Sequence, residues 1–332
     1  MIGCSYEIFR LHYKKIKGVK RNNTYSVGGL FAGIGGIELG FKQAGFDIKW
    51  ANEIDVHACK TYQNNFDHTL INKDIRKVDF KKLPKIDILV GGFPCQTFSI
   101  AGKKEGFGDK DRGQMFFEVI KAIKVLKPKV IFLENVKGLV IHDKGKTLKT
   151  ILEILQKEKY YVKYQVLNTK DYTDIPQNRE RVFFVGFKNK KQYEKFEFPK
   201  KETKHKNFRE FLEKDIDSRY IFTENTWQNK FVADDDKSNN LIYQYRYGSL
   251  RKTEHVPTIM CGHPKALFIL DNNKLRYLTP RELLNYQGFP KSFKFPKDLS
   301  DQQKYKQVGN AVTVPLIKKI ALQIKKALKD NK

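Results

Sequence analysis

Cysteine is scarce in this chain, and the scarcity excludes several chemistries. The four are Cys4, Cys59, Cys95 and Cys261, with no CxxC pair and no Cys/His ligand spacing. No structural zinc site is expected, and no metal is assigned. Nor does this usage suggest a disulfide framework. Long apolar runs are missing too: stretches such as Val130 to Leu133 are far too short to cross a bilayer. The opening MIGCSYEIFRLHYKKIKGVKRNN lacks the apolar region of an export signal, so residues 1–24 read as a basic extension. These absences point to the cytoplasm, away from membranes. Acidic residues are the third shortage. Thirty-seven Asp and Glu face 64 Lys and Arg, a formal net charge of +27. A folded surface so basic attracts polyanions, of which nucleic acid is the commonest.

The chain does contain enough apolar residues, 40% of the total, to bury a sizeable core in one large domain or two. Tyr25 to Phe31 reads as a buried strand running into FAGIGGIELGFKQAGF, a glycine turn followed by a helix. Gly28-Gly29 within that strand is unusual. DIKWANEID gives a second strand ending at Glu53, twenty residues beyond Gly33. A glycine turn at a helix start, with an acid at the tip of the next strand, is the layout of a doubly wound nucleotide-binding unit. Strand and helix patterns then alternate. KIDILVGG empties into Pro94-Cys95, GQMFFEVIKAIKVLKPK has helical spacing, and VIFLENV carries Glu134 at its end. Alternation of this kind predicts an α/β fold with a doubly wound, mostly parallel sheet whose ligands bind at the C-terminal strand ends. The glycine turn, Glu53, Asp74, Cys95 and Glu134 all fall at such ends. YYVKYQVL and QNRERVFFVGF predict two further strands.

Residues 25–187 thus form the first domain. From 188 to 275 the chain is lysine-rich and turn-rich, which predicts a second, smaller and irregular domain. Residues 276–332 return to the first, and the amphipathic VPLIKKIALQIKKAL, with Ile317, Ile320 and Ile324 on one face, is expected to pack onto the sheet.

The stretches FAGIGG, GGFPCQTFSIAG, ENVKGL, QNRERVFFVGF, LTPRE and GNAVTVPL stand in one order along the chain. In this the chain resembles the DNA (cytosine-5) methyltransferases of the compact bacterial restriction-modification type. The resemblance implies an S-adenosylmethionine-dependent methyltransferase fold and a target-recognition domain over 188–275. It also implies a monomer acting on double-stranded DNA, and a possible companion restriction endonuclease that shares the site without contact. Cys95 would be the nucleophile that adds to carbon 6 of a flipped-out cytosine, activating carbon 5 toward the methyl group. Glu134 at N3 and Arg181 at O2 would stabilise the charge that develops, with Arg179 supporting them. For the cofactor, Phe31, Gly33 and Gly35 would line the methionine and ribose portion. Glu53 would meet the ribose and Asp74 the adenine amino group. Ile54, where the family often has an aromatic, lies beside them with Ile75. Met115 would be an apolar wall, and Asn310 and Val312 would close the pocket. Residues 99–113 look like a mobile loop closing over DNA.

On the DNA side the resemblance implicates Gln96 and Ser99. Pro257-Thr258-Ile259 resembles a Thr-Leu pair that anchors the recognition segment in the family. Gln244, Arg246 and Arg251 upstream suit base reading, since Gln pairs bidentately with adenine and Arg with guanine. Alternatively the arginines hold phosphates. Rival readings are a tRNA cytosine-5 methyltransferase, a non-catalytic nucleic-acid-binding protein on the same fold, and a nicotinamide-dependent oxidoreductase. Relatives acting on RNA carry a Cys-Phe-Thr tripeptide that is absent here. The set of Cys95, Glu134 and Arg181 argues against decay, and a nicotinamide enzyme leaves the Pro-Cys turn unexplained.

Overall fold

The computed structural model describes residues 24–94, 114–202, 204–223, 241–246, 249–261, 267–272 and 274–329. Its main sheet is built from β1 (Ser26–Leu30), β2 (Asp47–Glu53), β3 (Thr69–Asn72), β4 (Ile88–Gly92), β5 (Val130–Val136), β6 (Tyr161–Asn168) and β8 (Glu180–Phe187); β7 (Gln177–Asn178) lies outside it. The order is β3-β2-β1-β4-β5-β8-β6. Pairings from β3 through β5 are parallel, and β8 runs antiparallel to both its neighbours. Strands covered on both faces need continuous apolar runs, which explains why Val130 to Leu133 is apolar at every position and fully buried. The strand order reverses between β1 and β4, and the crevice at such a switch point is where open α/β sheets bind ligands. From these two ends the glycine turn and the Pro94-Cys95 stretch depart.

One face is covered by α1 (Gly36–Gln43) and the other by α3 (Gln114–Leu126) and α4 (Lys146–Lys157), while α2 (Val56–Gln63) follows β2. Late in the chain come α5 (Pro280–Tyr286), α6 (Asp301–Asn310) and α7 (Val314–Leu328). Helix α7 buries Ile317, Ile320 and Ile324 completely against the same core as Val27, Phe41 and Phe132. Its closest partner is α1 rather than the sheet itself: a Cβ on Gly40 would lie 2.6 Å from that of Ile317.

A second sheet comprises β9 (Ile242–Arg246), β10 (Ser249–Thr253), β12 (Leu267–Asp271) and β13 (Lys274–Tyr277), antiparallel in the order β10-β9-β12-β13. A boundary at 275 falls inside β13, so this sheet runs to Tyr277. The segment that precedes it is tied to the first half of the chain: Phe196 is fully buried beside Phe187, with ring centroids 5.5 Å apart. The small sheet has two apolar sides. Ile242 and Ile269 join a cluster with Ala32, Tyr62 and Leu284, whereas Tyr243 and Phe268 stack at 5.4 Å in a separate one. Among the described residues no helix is long and apolar enough to cross a membrane.

Candidate active site

The turn after β1 is built on left-handed backbone at Phe31 (φ 54), Gly33 (φ 55) and Gly35 (φ 86). Glycine reaches that region at no steric cost, whereas Phe31 is strained there. A Cβ on Gly33 would meet nothing within 4 Å, so one side of the turn is open. Glu53 at the end of β2 secures the turn: its Oε2 accepts from the Gly33 N–H at 2.7 Å, and Oε1 accepts from Ile54 and Asp55 N–H at 2.8 Å. Three such bonds hold the carboxylate rigid and leave it lone-pair capacity for hydroxyl donors. Ile54 and Val56 beside it are 59% and 57% exposed, forming an apolar ledge.

The remaining cofactor candidates surround the same strand ends. Asp74 follows β3, with both carboxylate oxygens bound by the Arg76 guanidinium, which pulls its pKa down to about 2. An adenine amino group would therefore compete with Arg76 for it. Ile75 is buried, and Met115 is half-buried at the start of α3 with Leu30 and Phe116. Val312 packs its Cγ2 against Gly36 at the start of α1, and Asn310 is exposed at the end of α6.

At the adjoining ends of β4, β5 and β8 lies a carboxylate–guanidinium pair. Glu134 Oε1 is 3.0 Å from Arg181 Nε, and both side chains are mostly buried. Burial raises the Glu134 pKa, more strongly than Arg181 and Arg179 lower it. The group thus holds its proton above the ordinary carboxylate range while two guanidinium charges stand near. Gly92 is paired with Glu134 across β4 and β5, and a Cβ there would lie 3.0 Å from Oε2. The chain therefore leaves β4 directly beside this carboxylate, toward Cys95. Asn135, whose partners the sequence reading did not anticipate, donates from Nδ2 to the Phe93 carbonyl at 2.9 Å and is buried. It pins the stem of the Pro94-Cys95 stretch. An amide beside the acid in VIFLENV was its only sequence signal. Cys95, Gln96, Ser99 and the 99–113 stretch lie outside the described residues.

Arg179 precedes β8 and is spent on the backbone. It donates from Nη1 to Ile259 O (3.2 Å) and from Nη2 to Gly309 O (3.3 Å) and Ala311 O (2.5 Å). These carbonyls come from the stretch that follows β11 and from the end of α6, so Arg179 joins three parts of the chain. Thr258 belongs to the same joint, donating from Oγ1 to Asn178 O at 2.7 Å, next to the parallel pairing of β11 (Val256–Pro257) with β7. Beyond the joint, Gln244 and Arg251 are cross-strand partners on β9 and β10 and share one face of the small sheet. Arg251 is exposed and Gln244 half-buried; Arg246 closes β9.

A family model described as C-5 cytosine-specific DNA methylase matches residues 25–326. Type II methyltransferase M.Bsp6I of Bacillus sp. (strain RFL6) is 43% identical over 313 residues, covering 91% of this chain and 99% of that protein. Type II methyltransferase M.DsaV of Dactylococcopsis salina is 40% identical, over 88% of this chain and 83% of its own. A mutant of Spodoptera frugiperda DNMT2 superposes with a TM-score of 0.71 at 20% identity, over 91% of this chain and 100% of that one. A likeness so distant in sequence bears on the fold, whereas the family match and the 43% identity bear on the reaction. By those matches the chain belongs to the C-5 cytosine-specific DNA methylases: it is a DNA (cytosine-5) methyltransferase of the bacterial restriction-modification type.

Proposed function

We propose that the Glu134–Arg181 pair is the catalytic centre and that Cys95 supplies its nucleophile. The carrying observation is a mostly buried acid, kept protonated above the usual range, at the strand end beside the stem that leads to Cys95. The Cys95 thiolate adds to carbon 6 of an extruded cytosine, and the displaced electron pair moves onto N3, which takes the Glu134 proton. The Arg181 guanidinium stabilises charge at O2. Arg179 is a positioning residue. After transfer a base, which we assign to water, removes the hydrogen on carbon 5 as a proton. The sulfur is then expelled as thiolate, and N3 returns its proton to Glu134.

The turn and ledge fit S-adenosylmethionine, which when bound supplies the methyl group. Glu53 offers acceptors for ribose hydroxyls, Ile54 and Val56 an apolar seat for adenine, and the open side of Gly33 room for close approach. Phe31, Gly35, Asp74, Ile75, Met115, Asn310 and Val312 complete the pocket. We assign target recognition to the small sheet and its preceding segment, duplex DNA as substrate, and a cytoplasmic monomer as the working form. A companion endonuclease would share the DNA sequence without touching the enzyme.

The test uses Cys95→Ala with S-adenosylmethionine and plasmid DNA read by bisulfite sequencing. Methylation is expected to vanish while cofactor affinity stays near wild type. Duplexes carrying 5-fluorocytosine, which cannot release its carbon-5 substituent, are expected to trap the wild type covalently. Substantial methylation by the alanine variant would overturn the assignment.

A further inference from the structure

Glu38 is a buried carboxylate that the reaction above does not use. It sits in the first turn of α1, 1% exposed, and neither oxygen has a hydrogen-bond partner in any other described residue. Helical Cα–Cβ bonds tilt toward the N-terminus, so a side chain here runs back toward the glycine turn. Its carboxylate lies against Gly29 of β1, in the space that a Cβ at position 29 would occupy. This accounts for the glycine in a strand that otherwise favours branched residues. Two residues beyond Gly29 the backbone enters the turn at Phe31, and the turn is held by Glu53.

The surroundings are short of positive charge. The groups that act on Glu38 electrostatically are its own backbone N–H, Glu53 at the end of β2 and Tyr62 in α2, and among the described residues no basic side chain pairs with it. Burial, assisted by Glu53, raises its pKa to about 8. A buried carboxyl group with no partner beyond its own backbone N–H is costly, and a ligand cation placed beside it would offset both the desolvation and the repulsion. No set of three or more metal-ligating side chains exists among the described residues, which argues for an organic cation.

We propose that Glu38 is the anionic anchor for the α-ammonium group of the S-adenosylmethionine amino acid. The assignment rests on the glycine turn being the cofactor's methionine site. It places a specificity determinant on α1, opposite the strand, and explains why residue 29 must be small.

Binding is measured by calorimetry with three probes. S-adenosylmethionine carries both the ammonium and the sulfonium, S-adenosylhomocysteine only the ammonium, and methylthioadenosine neither. Glu38→Gln is expected to weaken the first two by roughly tenfold to a hundredfold and to leave the third unchanged, a loss typical of a charge-assisted hydrogen bond. The apo variant is expected to melt at or above the wild-type temperature, since a costly buried acid has been neutralised. The double variant Gly29→Asp with Glu38→Ala returns a carboxylate from the strand side and is expected to recover most of the lost affinity. Weakening of S-adenosylmethionine alone would point to the sulfonium and overturn the assignment. Equal weakening of all three probes, or of none, would also overturn it. Wild-type protein that binds no probe would instead defeat the cofactor site itself.

Discussion

At the scale of single residues, Glu134 carries the most chemistry for its size. Burial raises its pKa, so the folded protein holds that proton more tightly than the unfolded chain does. The stability this brings is full below the unfolded carboxylate value and is lost as pH climbs through the folded one. On the proposed mechanism catalysis follows the same direction, because proton donation to N3 would fail once Glu134 has ionised, whereas Cys95 would need higher pH to become a thiolate. The rate is expected to rise and then fall with pH, the falling limb belonging to Glu134. Glu134→Gln keeps the shape but has no proton to give. It is expected to lower methyl transfer by roughly a hundredfold to ten-thousandfold and to remove that limb. Single-turnover rates from pH 5 to 9 decide it; a variant that keeps the falling limb places the acid elsewhere.

At the scale of elements, the joint around Arg179 shows what the sequence makes legible and what it hides. Strand ends were readable because VIFLENV and KIDILVGG are continuous apolar runs and their polar residues stand at the tips. Glu134 sits where the VIFLENV run stops, and Glu53 closes the separate strand DIKWANE. Glu38 was hidden because an acid at one helical position resembles a solvated charge, and its neighbour Gly29 arrives from another element. The joining role of Arg179 is not legible in the sequence because its partners, Ile259, Gly309 and Ala311, are 80, 130 and 132 residues away. A boundary at 275 falls short of the end of β13 because that strand has only four residues, KLRY, too few to establish an alternating pattern. Close approach at the joint gives a sharp test. A Cβ on Gly309 would lie 2.4 Å from the Cys261 backbone nitrogen and 2.6 Å from its Cα, and backbone cannot swing aside as a side chain can. Gly309→Ala is expected to cost about 1–3 kcal/mol of stability by overpacking. It should also loosen protease sensitivity around residues 259–261 before the main sheet unfolds. Unchanged melting and unchanged proteolysis would mean the segment docks differently.

At the scale of the whole molecule, the question is where the +27 charge meets DNA. The face of the small sheet that bears Gln244 and Arg251 also bears Ile242, because residues two apart on a strand point the same way. Ile242 is fully buried in the cluster shared with Ala32 and Tyr62 from the catalytic half. Gln244 and Arg251 therefore lie on the side of the small sheet turned toward the catalytic strand ends, farther out along it, where a duplex gripped between the two would run. If Arg251 reads a guanine edge, Arg251→Ala should cost roughly 1–3 kcal/mol on the cognate site and relax preference at one base position. If it holds a phosphate, affinity should fall about equally on every sequence, and the log–log salt slope should flatten by roughly 0.9. Methylation of a library with randomised flanks, repeated at two salt concentrations, separates these outcomes. We expect base reading from the pairing with Gln244: a guanidinium and an amide side by side across two strands can meet adjacent base edges, where the amide uses both its donor and its acceptor, whereas a phosphate takes the donor alone. A uniform loss with a flattened slope would reverse that expectation and move recognition to another part of the small sheet.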